Sequence, residues 1–214
     1  MSLLTTERAL YEDIWTAADH YGDHAPGEQY VPMFLDCVPL AVSQYHGCDR
    51  HTLTWTPSDY TVLDAGCGTG KGGVALQQQA FHVKLCDLTD HGLTLEARAL
   101  PFTAACLWQD LSAVYRGFGP FQRTKFDFTY CCDVLEHIPP QFTMLAIDQL
   151  LRVSRYGLFL SVSLVSDYFG VWAGRPLHQT VQSFTWWRDS LAELGTVLDA
   201  RDLHHNAVFF VRAR

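Results

Sequence analysis

The chain has 214 residues, with 48% apolar and 18% charged side chains, a composition that suits one folded domain with a modest extension. A formal charge of −8, concentrated in the first 60 residues, argues against generic binding to nucleic acids or anionic membranes, which needs a basic face. The seven cysteines include no CxxC spacing, and the chain does not start with a basic flank followed by an apolar run. We therefore predict a cytoplasmic protein with reduced thiols, no signal peptide and no membrane span.

Residues 1–59 predict an N-terminal helical cap or extension. One helix is expected from Thr6 toward Tyr21, and a second from Glu28 to about Val38, ending before Pro39 because the residue before a proline disfavours helical geometry.

Residues 60–214 show a different pattern, in which short apolar runs alternate with helical segments. This alternation predicts a mostly parallel sheet covered by helices on both faces, with ligands bound at the carboxyl ends of the strands. The predicted strands are Tyr60–Asp64, His82–Asp87, Phe102–Leu107, Phe126–Cys132, Gly157–Val165, Val197–Arg201 and Ala207–Arg212, and the predicted helices are Lys71–Ala80, Gln141–Ser154 and Ser183–Leu194.

The first predicted strand runs into a glycine-rich turn, VLDAGCGTGKGG at residues 62–73. Glycines permit a tight turn and let a ligand approach the backbone closely. A Walker-type phosphate loop does not fit, because Gly72 stands where Ser or Thr is required and Ala65 where the first glycine is required. A dinucleotide-binding GxGxxG does match at Gly68, Gly70 and Gly73, but it leaves Asp64 and residues 131–140 unexplained.

Acidic residues recur at the ends of the predicted strands. Asp87 ends the second strand, Asp110 follows the third, and CDVLEHIP at residues 132–139 follows the fourth. Together with D-x-G-x-G-x-G from Asp64 to Gly70, these motifs resemble the class I S-adenosylmethionine (SAM)-dependent methyltransferase family over about residues 60–214. The resemblance implies a Rossmann-like α/β fold, whose seven-stranded, mostly parallel sheet has the order 3-2-1-4-5-7-6, with the helical cap over the cofactor.

The same resemblance assigns cofactor-binding roles to matching positions. The glycine turn and its flanking acid would hold the methionine part of SAM, and the residues at the end of the fourth strand would lie beside it. Asp87 would accept hydrogen bonds from the ribose hydroxyls. Asp110 would accept one from the adenine amino group. The implied SAM-binding residues are Asp64, Gly66, Cys67, Gly68, Gly70, Asp87, Leu88, Asp110, Leu111, Cys132 and Asp133.

Asp133, Glu136 and His137 have i, i+3, i+4 spacing, which places them on one face if a helical turn follows the fourth strand. With His178 after the fifth strand, they resemble the branch with an E-x-x-E-H segment and a distal histidine, known from small-RNA 2′-O-methyltransferases, although Asp133 replaces the first Glu. That branch implies a divalent cation, Mg or Mn, held by Asp133, Glu136, His137 and His178. Two alternatives remain open: Glu136 and His137 act as catalytic residues without metal, or they are packing residues.

The predicted acceptor pocket is rich in aromatic residues, which suits a flat or apolar acceptor. They come from the cap and from the segments after the fifth strand: Tyr11, Trp15, Tyr21, Tyr30, Tyr168, Phe169, Trp172, Trp186 and Trp187. The loop Tyr115–Phe126, with Arg116, Arg123 and Lys125, leaves a nucleotide acceptor open. We predict methyl transfer to a small-molecule hydroxyl; the alternatives are methylation of a nucleotide or nucleic-acid end, and a SAM-binding module without turnover.

Overall fold

The computed structural model describes residues 3–17, 27–111, 114, 125–167 and 173–213. One seven-stranded sheet organises these residues, in the order β3-β2-β1-β4-β5-β7-β6, which confirms the predicted order. Strands β1 to β5 are parallel, and β7 runs antiparallel to both of its neighbours, β5 and β6. The strands are β1 Thr61–Ala65, β2 His82–Asp87, β3 Phe102–Ala104, β4 Phe126–Cys132, β5 Ser154–Ser163, β6 Gly195–Asp202 and β7 Asn206–Ala213.

Five α-helices are described: α1 Leu3–Ala17, α2 Val31–His46, α3 Lys71–Gln78, α4 Pro140–Arg152 and α5 Phe184–Leu194. The predicted cap of the last helix is present, since the Ser183 hydroxyl accepts a hydrogen bond from the Trp186 N–H. None of the helices in the described ranges is both long and apolar enough to cross a bilayer.

Helix α2 does not end before Pro39, as the sequence predicted, but continues to His46. Pro39 removes one backbone hydrogen bond from the helix. The turns on either side nevertheless bury Val38, Ala41 and Val42, and this tertiary packing outweighs the local penalty. The helix ends at Gly47, which adopts the left-handed conformation with φ of 65°.

Apolar clusters cover both faces of the sheet. On one face Phe34 of α2 packs edge-on against Phe128, Tyr130 and Phe159, with ring centroids 5.5 to 5.7 Å apart. On the other face α4 and α5 contribute Leu150 and Trp187, which are fully buried. Helix α2 is thus part of the core, whereas α1 lies over the carboxyl ends of the strands; the division at residue 59 stays a prediction.

Candidate active site

A cavity of about 370 Å³ opens at the carboxyl ends of β1, β2, β4 and β5. This is the edge at which parallel α/β sheets bind their ligands, since the strand order reverses there between β1 and β4. Of the predicted site residues, the cavity wall contains Asp64, Gly66, Cys67, Gly68, Asp87, Leu88, Cys132, Asp133, Glu136, His137 and His178.

The glycine turn after β1 is shaped by three residues with positive φ: Gly66, Gly68 and Gly70. Gly66 and Gly68 line the cavity, and a Cβ at Gly66 would lie 2.5 Å from the Val134 side chain. Gly70 instead faces the protein interior, because a Cβ there would lie 2.4 Å from the Cβ of Ala97. Gly70 therefore permits packing of the turn and is not part of the described cavity wall.

Asp87 holds the glycine turn through its carboxylate. One carboxylate oxygen accepts the Gly68 N–H at 2.8 Å, and the other accepts the Leu88 N–H at 2.6 Å. Burial raises the pKa of Asp87, and these backbone donors oppose the rise. The side chain is therefore fixed at the cavity wall, with lone pairs left for a hydroxyl-bearing ligand.

Asp64 is buried, and its Oδ2 has no hydrogen-bond partner among the described residues. Burial raises the pKa of Asp64 to about 7; the Gly73 backbone N–H opposes this rise and the charge of Asp87 adds to it. A carboxylate in this position lacks a cationic partner, which the ammonium group of SAM would supply.

The structure does not bring Asp110 or Leu111 to the cavity wall. Strand β3 ends at Ala104, three residues earlier than predicted, and a turn follows in which the Gln109 N–H bonds to the Cys106 carbonyl. Asp110 is exposed and Leu111 is fully buried, and neither lines the described cavity; their adenine-binding role stays a prediction.

Apolar residues that precede Asp110 occupy this part of the wall instead. Ala105, Leu107 and Trp108 line the cavity, and the Trp108 ring stacks on Phe142 at 5.6 Å. The apolar surface suits a flat ring such as adenine.

Asp133 follows β4 in the left-handed conformation, with φ of 54°, which is uncommon for a residue other than glycine. Its Oδ1 accepts a hydrogen bond from the Ser161 hydroxyl at 3.2 Å, and its Oδ2 has no partner among the described residues. Burial raises the pKa of Asp133 to about 6 and that of the neighbouring Cys132 well above its usual value. Cys132 is therefore a neutral thiol.

Glu136 lies in a 3-10 turn, Leu135–His137, and its side chain is completely buried. Its Oε1 accepts the Ser163 N–H at 2.7 Å, whereas its Oε2 has no partner among the described residues. Burial, and secondly the charge of Asp133, raise the pKa of Glu136 well above its usual value. The side chain thus ties the turn to β5 and retains one unused acceptor atom.

His137 and His178, 41 positions apart in the sequence, meet in the structure with ring centroids 4.7 Å apart. The Nδ1 of His178 lies 2.7 Å from the Val165 carbonyl, which can only accept, so Nδ1 donates the hydrogen bond and Nε2 is left for another partner. The Nδ1 of His137 is buried without a partner, and burial followed by the proximity of His178 lowers the pKa of His137 to about 3. The His137 ring is therefore neutral and has an unused nitrogen beside His178.

Glu136, His137 and His178 form a cluster in which one ligand atom from each lies within 4.8 Å of the others. Asp133 lies outside this cluster, because it precedes the 3-10 turn and its positive φ removes it from the predicted helical face. Of the four predicted metal ligands, the structure therefore brings three together.

Helix α1 covers the cavity with the predicted aromatic residues Tyr11 and Trp15. Of the other predicted aromatics, Tyr30 and Trp187 are buried outside the cavity wall, Trp186 packs edge-on against Trp187, and Tyr21, Tyr168, Phe169 and Trp172 lie outside the described residues. The basic loop lies outside them as well, apart from its last residues, Lys125 and Phe126.

The sequence did not indicate several polar residues of the cavity wall, among them Glu7, Asp167 and Asn206. Asp167 accepts the backbone N–H groups of Leu177 and His178, both at 2.8 Å, and so fixes the segment that carries His178. No local sequence signal marks these residues, since each reaches the cavity through the folding of a distant segment.

A family model described as a methyltransferase domain matches residues 62–157. No curated protein sequence matches the chain significantly. Among solved structures, the SAM-bound magnesium protoporphyrin IX methyltransferase of Synechocystis PCC 6803 is similar at 17% identity, with a TM-score of 0.59, covering 100% of this chain and 98% of that one.

Two proteins of Burkholderia thailandensis are also similar. The 1,6-didemethyltoxoflavin-N1-methyltransferase aligns at 15% identity with a TM-score of 0.59, covering 100% of this chain and 91% of that one. An O-methyltransferase family protein aligns at 13% identity with a TM-score of 0.58; the alignment covers 92% of this chain, which spans 59% of the length of that protein. At these identities the likenesses show the shared fold.

The site geometry fits SAM, because the glycine turn, the unpaired Asp64, the fixed Asp87 and the apolar wall at Leu107 and Trp108 surround one cavity. The sheet order and the methyltransferase-domain match over residues 62–157 agree with this fit, and together they support a class I SAM-dependent methyltransferase.

Proposed function

We propose that this methyltransferase acts on a hydroxyl group of a small-molecule acceptor, with Glu136 and His137 as catalytic residues. The observation that carries the proposal is the cluster of Glu136, His137 and His178, whose acceptor atoms converge beside the SAM cavity. A hydroxyl must lose its proton as its oxygen bonds to the methyl group, so a site for hydroxyl acceptors needs groups that take up a proton.

SAM supplies an electrophilic methyl group, and the protein has to hold the acceptor in line with it and exclude water. His137 is placed to receive the hydroxyl proton, because its ring lines the cavity and its Nδ1 has no partner among the described residues. Burial lowers the pKa of His137 to about 3, so the empty site leaves the ring neutral and weakly basic, and proton uptake needs a neighbouring negative charge. Once ionised, the adjacent Glu136 is a stronger base than an exposed glutamate because its pKa is raised, and its carboxylate would stabilise the protonated imidazole.

The same three residues would hold a divalent cation, each through one nitrogen or carboxylate oxygen atom. Two imidazoles and one carboxylate suit Mn²⁺ better than Mg²⁺, which prefers oxygen ligands. A bound cation would lower the pKa of the acceptor hydroxyl. Asp133 is not proposed as a ligand, because it lies outside the cluster.

The shape of the cavity favours a small, flat acceptor. Tyr11 places its ring edge-on to His137 at a centroid distance of 6.2 Å, and Ile138 and Leu177 add apolar wall nearby. Aromatic and aliphatic walls with a few converging polar groups are typical of small-molecule sites.

The test incubates the protein with methyl-deuterated SAM and a small-molecule extract, and identifies labelled products by mass spectrometry. We expect label on hydroxyl oxygen, and we expect Glu136→Gln and His137→Gln to reduce turnover about 100-fold or more, as for loss of a general base, with little change in SAM affinity. Glu136→Gln keeps the oxygen that accepts the Ser163 N–H, which preserves the fold. Exposed residues supply matched controls, Glu193→Gln and His51→Gln, which should retain full turnover.

Different results would point to the alternatives. Label on nitrogen, or full turnover by Glu136→Gln and His137→Gln, would refute the proposed hydroxyl chemistry. Saturable SAM binding without product from any extract would favour a binding module, and RNA binding that weakens steeply with salt would favour a nucleic-acid acceptor. Comparing turnover after chelation with turnover after adding Mn²⁺ separates the metal-bound from the metal-free form of the site.

A further inference from the structure

Glu7 is an unusual residue for its place in the fold. Helix α1 is largely exposed, and of its described residues only Glu7 and Ile14 are buried. Glu7 is 2% exposed, lines the cavity, and accepts two hydrogen bonds from the guanidinium group of Arg175, at 2.9 and 2.5 Å. A bidentate arrangement of this kind fixes both partners in orientation as well as in distance.

The ion pair connects two separate segments of the cavity wall. Arg175 lies 168 positions from Glu7, in the segment that also brings Leu177 and His178 to the wall. Breaking the pair would therefore remove a contact between helix α1 and the segment that carries His178.

Two aromatic residues of α1 lie on the same helical face as Glu7. Tyr11 and Trp15 follow Glu7 at i+4 and i+8, and both line the cavity. The Trp15 ring lies against the glycine turn and the loop after β2, where a Cβ would come within 3.3 Å of it at Gly68 and within 2.6 Å at Gly92. Within the described residues, α1 has no extensive contact with any other helix or with a strand.

We propose that the Glu7–Arg175 ion pair is a clasp that closes α1 over the cavity, holding Tyr11 against His137 and Trp15 against the glycine turn. Glu7 and Arg175 are thus positioning residues, which act on the ligands through the aromatic residues of α1. The proposal rests on the SAM site and on the proposed role of His137. A helix that lacks extensive packing against the other helices and strands opens more often when this ion pair is removed, and ligands then leave faster.

The test measures the release of S-adenosylhomocysteine (SAH) from the full chain by stopped-flow tryptophan fluorescence, with SAH as the probe because the acceptor is unidentified. We expect Glu7→Gln and Arg175→Gln each to raise the SAH dissociation rate about tenfold or more, because each leaves a half-buried bidentate ion pair without one partner. The double variant should release SAH no faster than the faster single variant, because both substitutions break the same contact. Hydrogen exchange of residues 3–17 should accelerate in the same variants.

A matched control lies on the same helix, where Arg8 and Glu12 form an exposed i, i+4 pair at 3.0 Å. Arg8→Gln should leave SAH release unchanged, because exposed pairs of this kind contribute little. Arg175→Lys keeps the positive charge but cannot form the bidentate contact, so its SAH dissociation rate should lie between those of the wild type and Arg175→Gln. It also serves as the second variant if Arg175→Gln does not fold.

Two results would overturn the clasp. One is an unchanged SAH dissociation rate in folded Glu7 and Arg175 variants, and the other is an equal acceleration by Arg8→Gln. If the wild-type chain does not bind SAH, the SAM site fails together with the clasp. If the wild type binds SAH and turns over acceptor while the clasp variants release SAH normally, only the clasp fails.

Discussion

Asp64→Asn provides a quantitative test of the cofactor site, because it removes a buried charge and keeps the shape of the side chain. Asp64 is 4% exposed and its Oδ2 has no partner among the described residues. Burial, with a smaller contribution from Asp87, raises the pKa of Asp64 from 3.8 to about 7 in the folded chain. Asn retains an oxygen that can accept the Gly73 N–H and carries no charge at any pH.

The stability difference follows from this pKa rise and its sign. The folded state binds the Asp64 proton more tightly than the unfolded state, so the contribution of Asp64 is fully favourable below pH 3.8 and is lost as the pH rises through 7. A rise of about 3 pKa units, at 1.36 kcal/mol for each unit, corresponds to about 4 kcal/mol. Without SAM, the Asn variant should therefore be more stable than the wild type by up to about 4 kcal/mol at pH 8, and equally stable below pH 4.

The assay is urea unfolding of both proteins between pH 4 and 8, with and without SAM. Comparing the two proteins at each pH cancels the titration of other groups, including Asp133 and Glu136. SAM should stabilise the wild type more than the variant, since the ammonium group pairs with the ionised carboxylate, and the variant should bind SAM about tenfold or more weakly.

Two outcomes would refute this reasoning. A variant that is less stable than the wild type by the same amount at every pH would mean that Asp64 makes a structural hydrogen bond and not an unpaired charge. A variant that binds SAM as tightly as the wild type would remove Asp64 from the cofactor site.

Two further substitutions test the core and the ribose-binding role. Phe34→Ala should lower the free energy of unfolding by about 3 to 5 kcal/mol in urea, because it leaves a cavity among packed aromatic rings, whereas Tyr45→Ala, at a side chain that is 47% exposed, should cost much less. Asp87→Asn should weaken SAM binding by calorimetry about tenfold or more, since Asn has one acceptor oxygen where Asp87 has two, and the exposed Asp90→Asn should bind SAM normally. The first prediction would be contradicted by an equal loss of stability in Phe34→Ala and Tyr45→Ala. The second would be contradicted by equal SAM affinities of Asp87→Asn and Asp90→Asn.

The individual strands were predictable because their signals are local, whereas their order in the sheet came from the family resemblance. Strands β2 and β4 have the predicted bounds, since apolar runs buried on both faces can be seen in the sequence itself. Two predicted bounds were wrong: α2 continues through Pro39, where tertiary packing outweighs the local penalty, and β3 stops at Ala104. Trp108, for which no role was predicted, lines the described cavity. The left-handed conformation of Asp133 also has no signal in residue type alone.

The sequence by itself determined the order of strands and helices, the glycine turn, and the carboxylates that end the strands, because these depend on residues close together in the chain. Only the tertiary structure decided that His178 meets His137, that Asp133 lies outside their cluster, and that Glu7 pairs with Arg175. Each of these depends on how segments far apart in the sequence pack together, and no local pattern of residues specifies that geometry.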